Sequence, residues 1–444
     1  MTGNYSDRRI EWCPSILLPV RFPAKGEKHR NTETKQVDFV LSGESMALTF
    51  EPLREAEELR EQLGSDKRRL LLLFGAGTSQ SVGIDSVAAL TENVRPELTP
   101  AQQIHYDRIL ALRPSSHIEH VLNNVRLCRE LIGGSTTSSA GGFTGIEAAE
   151  MDRTICRAIY RRVKIEPPKG FSFHANFAAW LSSIQRSKPV EIFSTNYDLL
   201  IERGLEIAGV PYFDGFIGSV KPYFSDAASE LDDEAHSRIP KSWVRLWKLH
   251  GSIGWRNAIE DFTGEKKVVA LPLLEPGSVD DLMIFPSHEK YADSRKLPFV
   301  AFHDRLRRLT AAGESLLLVA GYSFGDEHIN DILFGNLRAN NRLAITVFMF
   351  DSIASAQTQT NLINPTKGIR NLTVYGPDGA SIGGVLGKWA SPPKPPTGMD
   401  KWPFWDETKK EFTLGNFTNV PTFLQEFIGA RAIRPADSGV GPTK

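Results

Sequence analysis

Short apolar runs that stop abruptly at glycine or small polar residues recur along this chain. RRLLLLF at 68–74 runs into GAGTSQSVGI, VEIF at 190–193 runs into STNYD, VRLWKL at 244–249 ends at His250 and Gly251, and SLLLVA at 315–320 runs into GYSFGDEHI. Each run has the length and continuity of a strand buried on both faces. Further strands are expected at VDFVL (37–41), DLMIFPS (281–287), LAITVFMFD (343–351) and NLTVYG (371–376). Between these runs the apolar period changes to that of a helix. Helices are expected over 52–63, 114–133, 146–165, 175–184, 199–207, 301–312 and 420–428. In the second of these, Ile118, Val121, Leu122 and Val125 share one face. Strands alternating with helices predict an α/β fold, an open parallel sheet covered on both faces. Residues 85–188 hold too few strand signals to continue that alternation, so they are expected to form a helical elaboration between the first glycine turn and the STNYD strand. GGSTTSSAGGFTG at 133–145 reads as a loop that either gates entry to a cleft or joins two helices.

Composition narrows the picture. The 444 residues and 41% hydrophobic content suffice for a large core in one elaborated domain or a few smaller ones. Lys and Arg number 52 against 53 Asp and Glu, a net charge of −1 that does not indicate direct nucleic-acid binding. Cys13, Cys128 and Cys156 are the only cysteines, too few for a four-cysteine zinc site and too scattered for a disulfide framework. There is no HExxH motif or compact Cys/His array, so no metal is expected. The N-terminal residues lack the apolar core of a signal peptide, and the run Leu70–Phe74 is far too short to span a bilayer. A cytoplasmic protein is therefore expected. SPPKPP at 391–396 reads as a stiff connection, and RPADSGVGPTK at 434–444 as a disordered tail.

In open parallel sheets, ligands bind beyond the carboxyl ends of the strands, where the polar residues that stop these runs would sit. Gly75 and Gly77 either let backbone approach a phosphate closely or simply shape a packed turn. Asn196 offers both a donor and an acceptor to a ribose hydroxyl, a carbonyl or a water. Asp198 either orients that network or caps the next helix. His250 is a candidate for proton transfer, since histidine is the side chain suited to acid-base work, and the following Gly251 would leave space beside it. Ser323 is a candidate for a ribose or phosphate oxygen, and Asp326 for a helix cap.

Taken in order, GAGTSQSVGI (75–84), STNYD (194–198), LHGS (249–252) and GYSFGDEHI (321–329) resemble the motifs of the sirtuin-like NAD-binding domain. The resemblance covers roughly residues 66–376 and implies a Rossmann-like sheet of sirtuin type. Residues 1–65 would then be an N-terminal extension packing on or near the core, and 377–444 a C-terminal extension. The resemblance implies Asn196 and His250 as catalytic residues, with Gly75, Ala76, Gly77, Thr78, Ser79, Asp198, Gly321, Ser323 and Phe324 as contacts for the dinucleotide. Classical protein deacylases of this kind carry a zinc module with paired cysteines and a Pro-x-Phe-Arg segment after Gly-Ile. Here Gly83-Ile84 continues into Asp85-Ser86-Val87, and the cysteines for the module are missing. The sequence is more similar to bacterial sirtuin-like effectors of anti-phage defence, which hydrolyse NAD+. That implies NAD+ as substrate, a homo-oligomer, and a HerA-type ATPase or an Argonaute-like protein as partner. An NAD-dependent deacylase or ADP-ribosyltransferase, and a nucleotide-sensing scaffold without catalysis, are the alternatives.

Overall fold

Six leucine-rich residues, Arg69–Phe74, form the strand around which the chain is built. The structure is a computed structural model, and it describes residues 48–113, 116–165, 173–230, 239–260, 262–271, 282–284, 297–397 and 399–428. The strand expected at 37–41, the ends of the one expected at 281–287, the first residues of the helix expected from 114, and the tail at 434–444 lie outside the described residues.

Among the described residues, ten strands make one sheet: β1 (Thr49–Phe50), β2 (Arg69–Phe74), β3 (Glu191–Ser194), β4 (Tyr212–Phe213), β5 (Val244–Lys248), β6 (Ser315–Ala320), β7 (Leu343–Phe348), β8 (Leu372–Tyr375), β9 (Gly379–Ile382) and β10 (Val385–Trp389). Their order across the sheet is β1-β10-β9-β8-β7-β6-β2-β3-β5-β4. From β8 through β4 all neighbours are parallel. The open α/β class expected from the alternation of strands and helices is therefore the one observed. Chain order runs outward from β2 through β3 and β5 on one side, and from β6 through β7 and β8 on the other. The β2/β6 boundary is thus the point where strand order reverses, the usual place for a ligand crevice in such sheets.

The continuous apolar runs follow from burial on both faces. Leu71 and Leu73 of β2, with Leu317 and Val319 of β6, enter one core with Phe302 and Leu306 of helix Phe299–Ala311 and Leu333 of helix Glu327–Ala339. The alternate residues Leu70, Leu72, Leu316 and Leu318 enter the opposite core. Four helices cover that face: α1 (Pro52–Gly64), and those at Phe173–Ser183, Leu200–Ile207 and Asn419–Ile428. The sheet runs past residue 376, because β9 and β10 form an antiparallel hairpin on it around Gly383-Gly384.

The region 85–188 is helical, as expected. It supplies α2 (Val87–Val94), α3 (Pro100–Leu110), α4 (Ile118–Ile132) and α5 (Gly145–Val163), followed by α6 (Phe173–Ser183) on the sheet. Helices α2 to α5 bury their apolar faces in a third core, which also takes in Tyr197, Leu200 and Ile253 from just beyond β3 and β5. Part of the glycine- and serine-rich stretch between α4 and α5 forms a two-strand hairpin, Ser139–Ala140 with Phe143–Thr144. Among the described residues, a second, antiparallel sheet has five strands and includes Gly251–Ile259. Chain order then continues with α7 (Leu200–Ile207), α8 (Phe299–Ala311), α9 (Glu327–Ala339) and α10 (Asn419–Ile428).

Two buried ionisable groups bear on stability. Glu191, fully buried at the start of β3, accepts from Arg305 of α8 at 2.7 and 2.8 Å and from the Trp247 indole of β5 at 2.6 Å. Burial alone would raise its carboxyl, yet Arg305 and Trp247 bring it below the ordinary value. Removing one member of a buried pair leaves the other uncompensated, so Glu191→Ala is expected to cost roughly 3–5 kcal/mol. A urea midpoint close to wild type would contradict this.

His174 on α6 is buried, and neither ring nitrogen has a hydrogen-bond partner among the described residues. Burial lowers its pKa from 6.5 to about 4, with nearby Lys248 lowering it further and Asp198 opposing. The folded state therefore binds fewer protons than the unfolded chain between those values. The His174 contribution to stability should fall by about 3 kcal/mol as pH drops from about 6.5 to about 4, and that contribution changes no further below. His174→Leu should flatten that part of the profile in denaturant titrations taken across the window.

Candidate active site

The strand register sets the site. Across the sheet, Phe348, Ala320, Phe74, Ser194 and Lys248 are paired in one row, the last residues of β7, β6, β2, β3 and β5. The polar motifs begin in that row, as STNYD does with Ser194, or immediately beyond it. Asn196 and His250 each lie two residues past it on adjacent strands, and a backbone bond from Leu249 to Ser194 at 2.8 Å holds the two exits together.

The first glycine turn packs against the second. The Gly75 amide donates to the Ala320 carbonyl at 3.0 Å, and the Gly77 amide to Gly321 at 2.9 Å. A Cβ on Gly75 would meet the Gly321 oxygen at 2.4 Å, and one on Gly77 would meet the Gly321 Cα at 2.7 Å. These glycines therefore serve the contact between the ends of β2 and β6, and their amides are already committed to it. Ala76 lies between them, and a one-turn helix, Gly77–Gln80, follows.

Asn196 is 6% exposed. Its Nδ2 is surrounded by three oxygens of the first turn: Gly75 O at 3.0 Å, Thr78 Oγ1 at 3.0 Å and Ser79 Oγ at 2.8 Å. The Gly75 carbonyl is acceptor-only, which fixes the orientation of the amide. The Thr78 hydroxyl donates to that same carbonyl at 2.9 Å, and the Ser79 hydroxyl to Asp198 Oδ2 at 2.6 Å. Asn196 Oδ1 is left buried with no partner among the described residues. An orphaned buried carbonyl costs roughly 1–3 kcal/mol, which a ligand donor would relieve.

Asp198 has two structural duties. Its Oδ1 accepts from the Leu200 amide at 3.0 Å at the start of α7, while Oδ2 takes the Ser79 proton. Below it, the buried Lys248 ammonium donates to the Asp198 backbone carbonyl and pairs with Glu202 at 3.2 Å. Tyr197 faces the helical layer and donates to Glu119 of α4 at 2.6 Å. Burial, reinforced by that carboxylate, holds the Tyr197 phenol well above its usual range, so it stays a donor.

His250 is buried, and its Nε2 lies 2.9 Å from Asp326 Oδ2. Gly251 follows with φ 91°, a conformation open mainly to glycine, which turns the chain from β5 into the second sheet. Asp326 also caps α9, its Oδ1 accepting from the amides of His328 at 3.0 Å and Ile329 at 3.4 Å. The sequence marked Asp326 as a cap but gave no sign that it reaches His250, since the contact depends on the segments that leave β5 and β6, strands with β2 and β3 between them in the sheet, meeting beyond its edge. Glu119 was likewise not singled out.

The remaining residues of the second turn divide by exposure. Ser323 is exposed. Phe324 is 3% exposed with φ 55°, and its ring stacks on Phe334. Asn330 donates to the Phe324 carbonyl at 2.8 Å and supports that strained position. A separate cavity of about 320 Å³ lies between α8 and α9, lined by His303, Asp304, Arg307, His328 and Asp331 among others; Asn196, His250 and the glycine turns do not line it. Among the described residues, no group of three or more His, Cys, Asp and Glu side chains is placed to hold a metal ion, and no helix is long and apolar enough to cross a membrane.

With this geometry in view, comparison with known proteins gives one family match. Residues 190–370 match the family described as the SIR2-like domain. That span contains STNYD, LHGS and GYSFGDEHI, while GAGTS precedes it. Among solved structures, a complex of a Sir2 homologue with NAD is similar at 14% identity, covering 72% of this chain and 87% of that one, with a TM-score of 0.33. A triple mutant of Sir2 homologues with 2′-O-acetyl ADP ribose is similar at 15% identity, covering 67% and 85%, with a TM-score of 0.32. No curated protein matches the chain.

The packing of the two turns yields a test. Gly321 has φ 66°, and a Cβ there would meet the Thr78 amide nitrogen at 2.5 Å. Gly321→Ala is expected to destabilise the protein by roughly 1–3 kcal/mol through strain and separation of the turns. An unchanged melting temperature would show that the turns are not in close contact.

Proposed function

We propose that the protein is an NAD+ glycohydrolase, releasing nicotinamide and ADP-ribose. One observation carries the reading: Asn196 Oδ1, a buried acceptor with no partner among the described residues, and the buried His250 each follow the carboxyl end of one of two adjacent strands. The SIR2-like match over 190–370 supports the choice of substrate, because it embraces both residues.

In this reading Asn196 Oδ1 accepts a hydrogen bond from a ribose hydroxyl or from the attacking water. The Nδ2 clamp on the first glycine turn holds that oxygen still, so the positioning requires no reorganisation. His250 accepts the proton that water loses as its oxygen bonds to the anomeric carbon. The glycosidic electron pair goes to the nicotinamide nitrogen and neutralises its positive charge. A water molecule is consumed and one proton is released per turnover, so the atoms balance. The helical layer, tied down through Tyr197 and Glu119, borders the strand ends and would limit access of other acceptors. The expected setting is NAD+ depletion in bacterial anti-phage defence, by a homo-oligomer or beside an ATPase or Argonaute-like partner. Light scattering of the purified protein tests the first of these.

The direct assay follows nicotinamide and ADP-ribose from NAD+ under single-turnover conditions, with an acyl-lysine peptide in a parallel arm. Asn196→Ala and His250→Ala are each expected to lower cleavage by roughly 10²–10⁴-fold while remaining folded. Asn196→Ala should also weaken NAD+ binding, whereas His250→Ala should leave it closer to wild type. Near-wild-type cleavage by both folded variants would remove these residues from the mechanism. Peptide-dependent product in place of hydrolysis would favour deacylation.

A further inference from the structure

We infer that Asp326 is the positioning residue for His250, and that it works by fixing which imidazole nitrogen is free to take a proton. The inference rests on the hydrolase reading for its kinetic consequence, but its structural core stands on geometry alone.

The two carboxylate oxygens of Asp326 are not equivalent. Oδ1 is the helix cap, accepting from the His328 and Ile329 amides. Oδ2 faces His250 Nε2 at 2.9 Å. An ionised carboxylate only accepts, so Nε2 must carry a hydrogen. The neutral imidazole then keeps its lone pair on Nδ1, which has no hydrogen-bond partner among the described residues and is not sealed from solvent. The carboxylate also offsets the positive end of the α9 dipole, which would otherwise disfavour a charged imidazole. The surroundings hold the carboxylate in place: Asp326 is buried, and the Tyr322 hydroxyl lies 3.2 Å from its backbone carbonyl. One residue thus joins the N-terminus of α9 to the proton acceptor on β5.

Capping and positioning are separable because they use different oxygens. Asn caps a helix about as well as Asp. In Asp326→Asn the cap retains the oxygen on the His328 side, so the new amide group points at Nε2. Two donors cannot face each other, and His250 must shift its hydrogen to Nδ1. The variant is therefore folded, with the imidazole held in the wrong tautomer. Asp326→Ser also keeps a cap but is too short to reach His250, so it leaves the tautomer unconstrained.

The test combines an ¹⁵N NMR reading of the His250 ring in selectively labelled full-length protein with NAD+ kinetics. The resonance is assigned by its loss in His250→Ala. Expected are the Nε2–H tautomer in wild type, the Nδ1–H tautomer in Asp326→Asn, and a mixture in Asp326→Ser. With melting temperatures near wild type, kcat should fall roughly 10²–10⁴-fold in Asp326→Asn, less in Asp326→Ser, and KM should change little in either. A residue acting only as a cap would leave both tautomer and kcat unchanged, which would overturn the inference. So would an Nδ1–H tautomer in wild type. If wild type gave no NAD+ cleavage, the hydrolase reading would fail, while the tautomer series would still decide whether Asp326 sets the proton position.

Discussion

The site depends on one side-chain amide. Asn196 reaches from the end of β3 into the first glycine turn and places its Nδ2 among Gly75 O, Thr78 Oγ1 and Ser79 Oγ. That clamp joins two parallel strands at the point where their main-chain ladder has ended. It also forces the carbonyl half of the amide to face the other way, without a partner among the described residues. Folding alone does not reward such an arrangement, since a buried orphan acceptor is unfavourable. The supporting contacts all act to keep it: Ser79 is held by Asp198, Asp198 by Lys248 and the start of α7, and Lys248 by Glu202. Strain and unsatisfied polarity that persist because their surroundings over-determine them are the mark of functional positions.

The same logic explains why the catalytic candidates lie on strand ends. Register pairs Ser194 with Lys248 and Phe74 with Ser194, so residues far apart in sequence leave the sheet at one level. His250 and Asp326 meet because β5 and β6 both end in that row, with the turn after β6 leading into α9. The sheet supplies rigidity, and the turns supply chemistry.

Much of this was legible in the sequence. Continuous runs such as RLLLLF and SLLLVA could only be strands buried on both faces, and their abrupt polar ends gave the position of the site. Helical spacing was readable where the apolar face was wide, as in α4 and α5. It failed for Pro100–Leu110, whose buried side chains are few although Thr99 and Gln102 form a capping box. The hairpin at residues 379–389 was also missed, because its outer strand is short and largely exposed. The roles of the glycines could not be separated in advance. Sequence left Gly75 and Gly77 open between a phosphate contact and a packed turn, and the structure shows their amides and missing Cβ atoms serving contact with residues 320–322. That partner is remote along the chain, and local pattern carries no trace of it. The Asp326–His250 pair escaped notice for the same reason.

The central claim is that the unpartnered Asn196 Oδ1 and the imidazole of His250 face one ligand. A crystal structure of the full chain soaked with NAD+ or ADP-ribose tests it most directly. The account predicts a ribose hydroxyl, or a water beside the ribose, within hydrogen-bonding distance of Asn196 Oδ1, with His250 on the same side of the sugar. A dinucleotide bound elsewhere, with Asn196 Oδ1 still unpartnered, would contradict it.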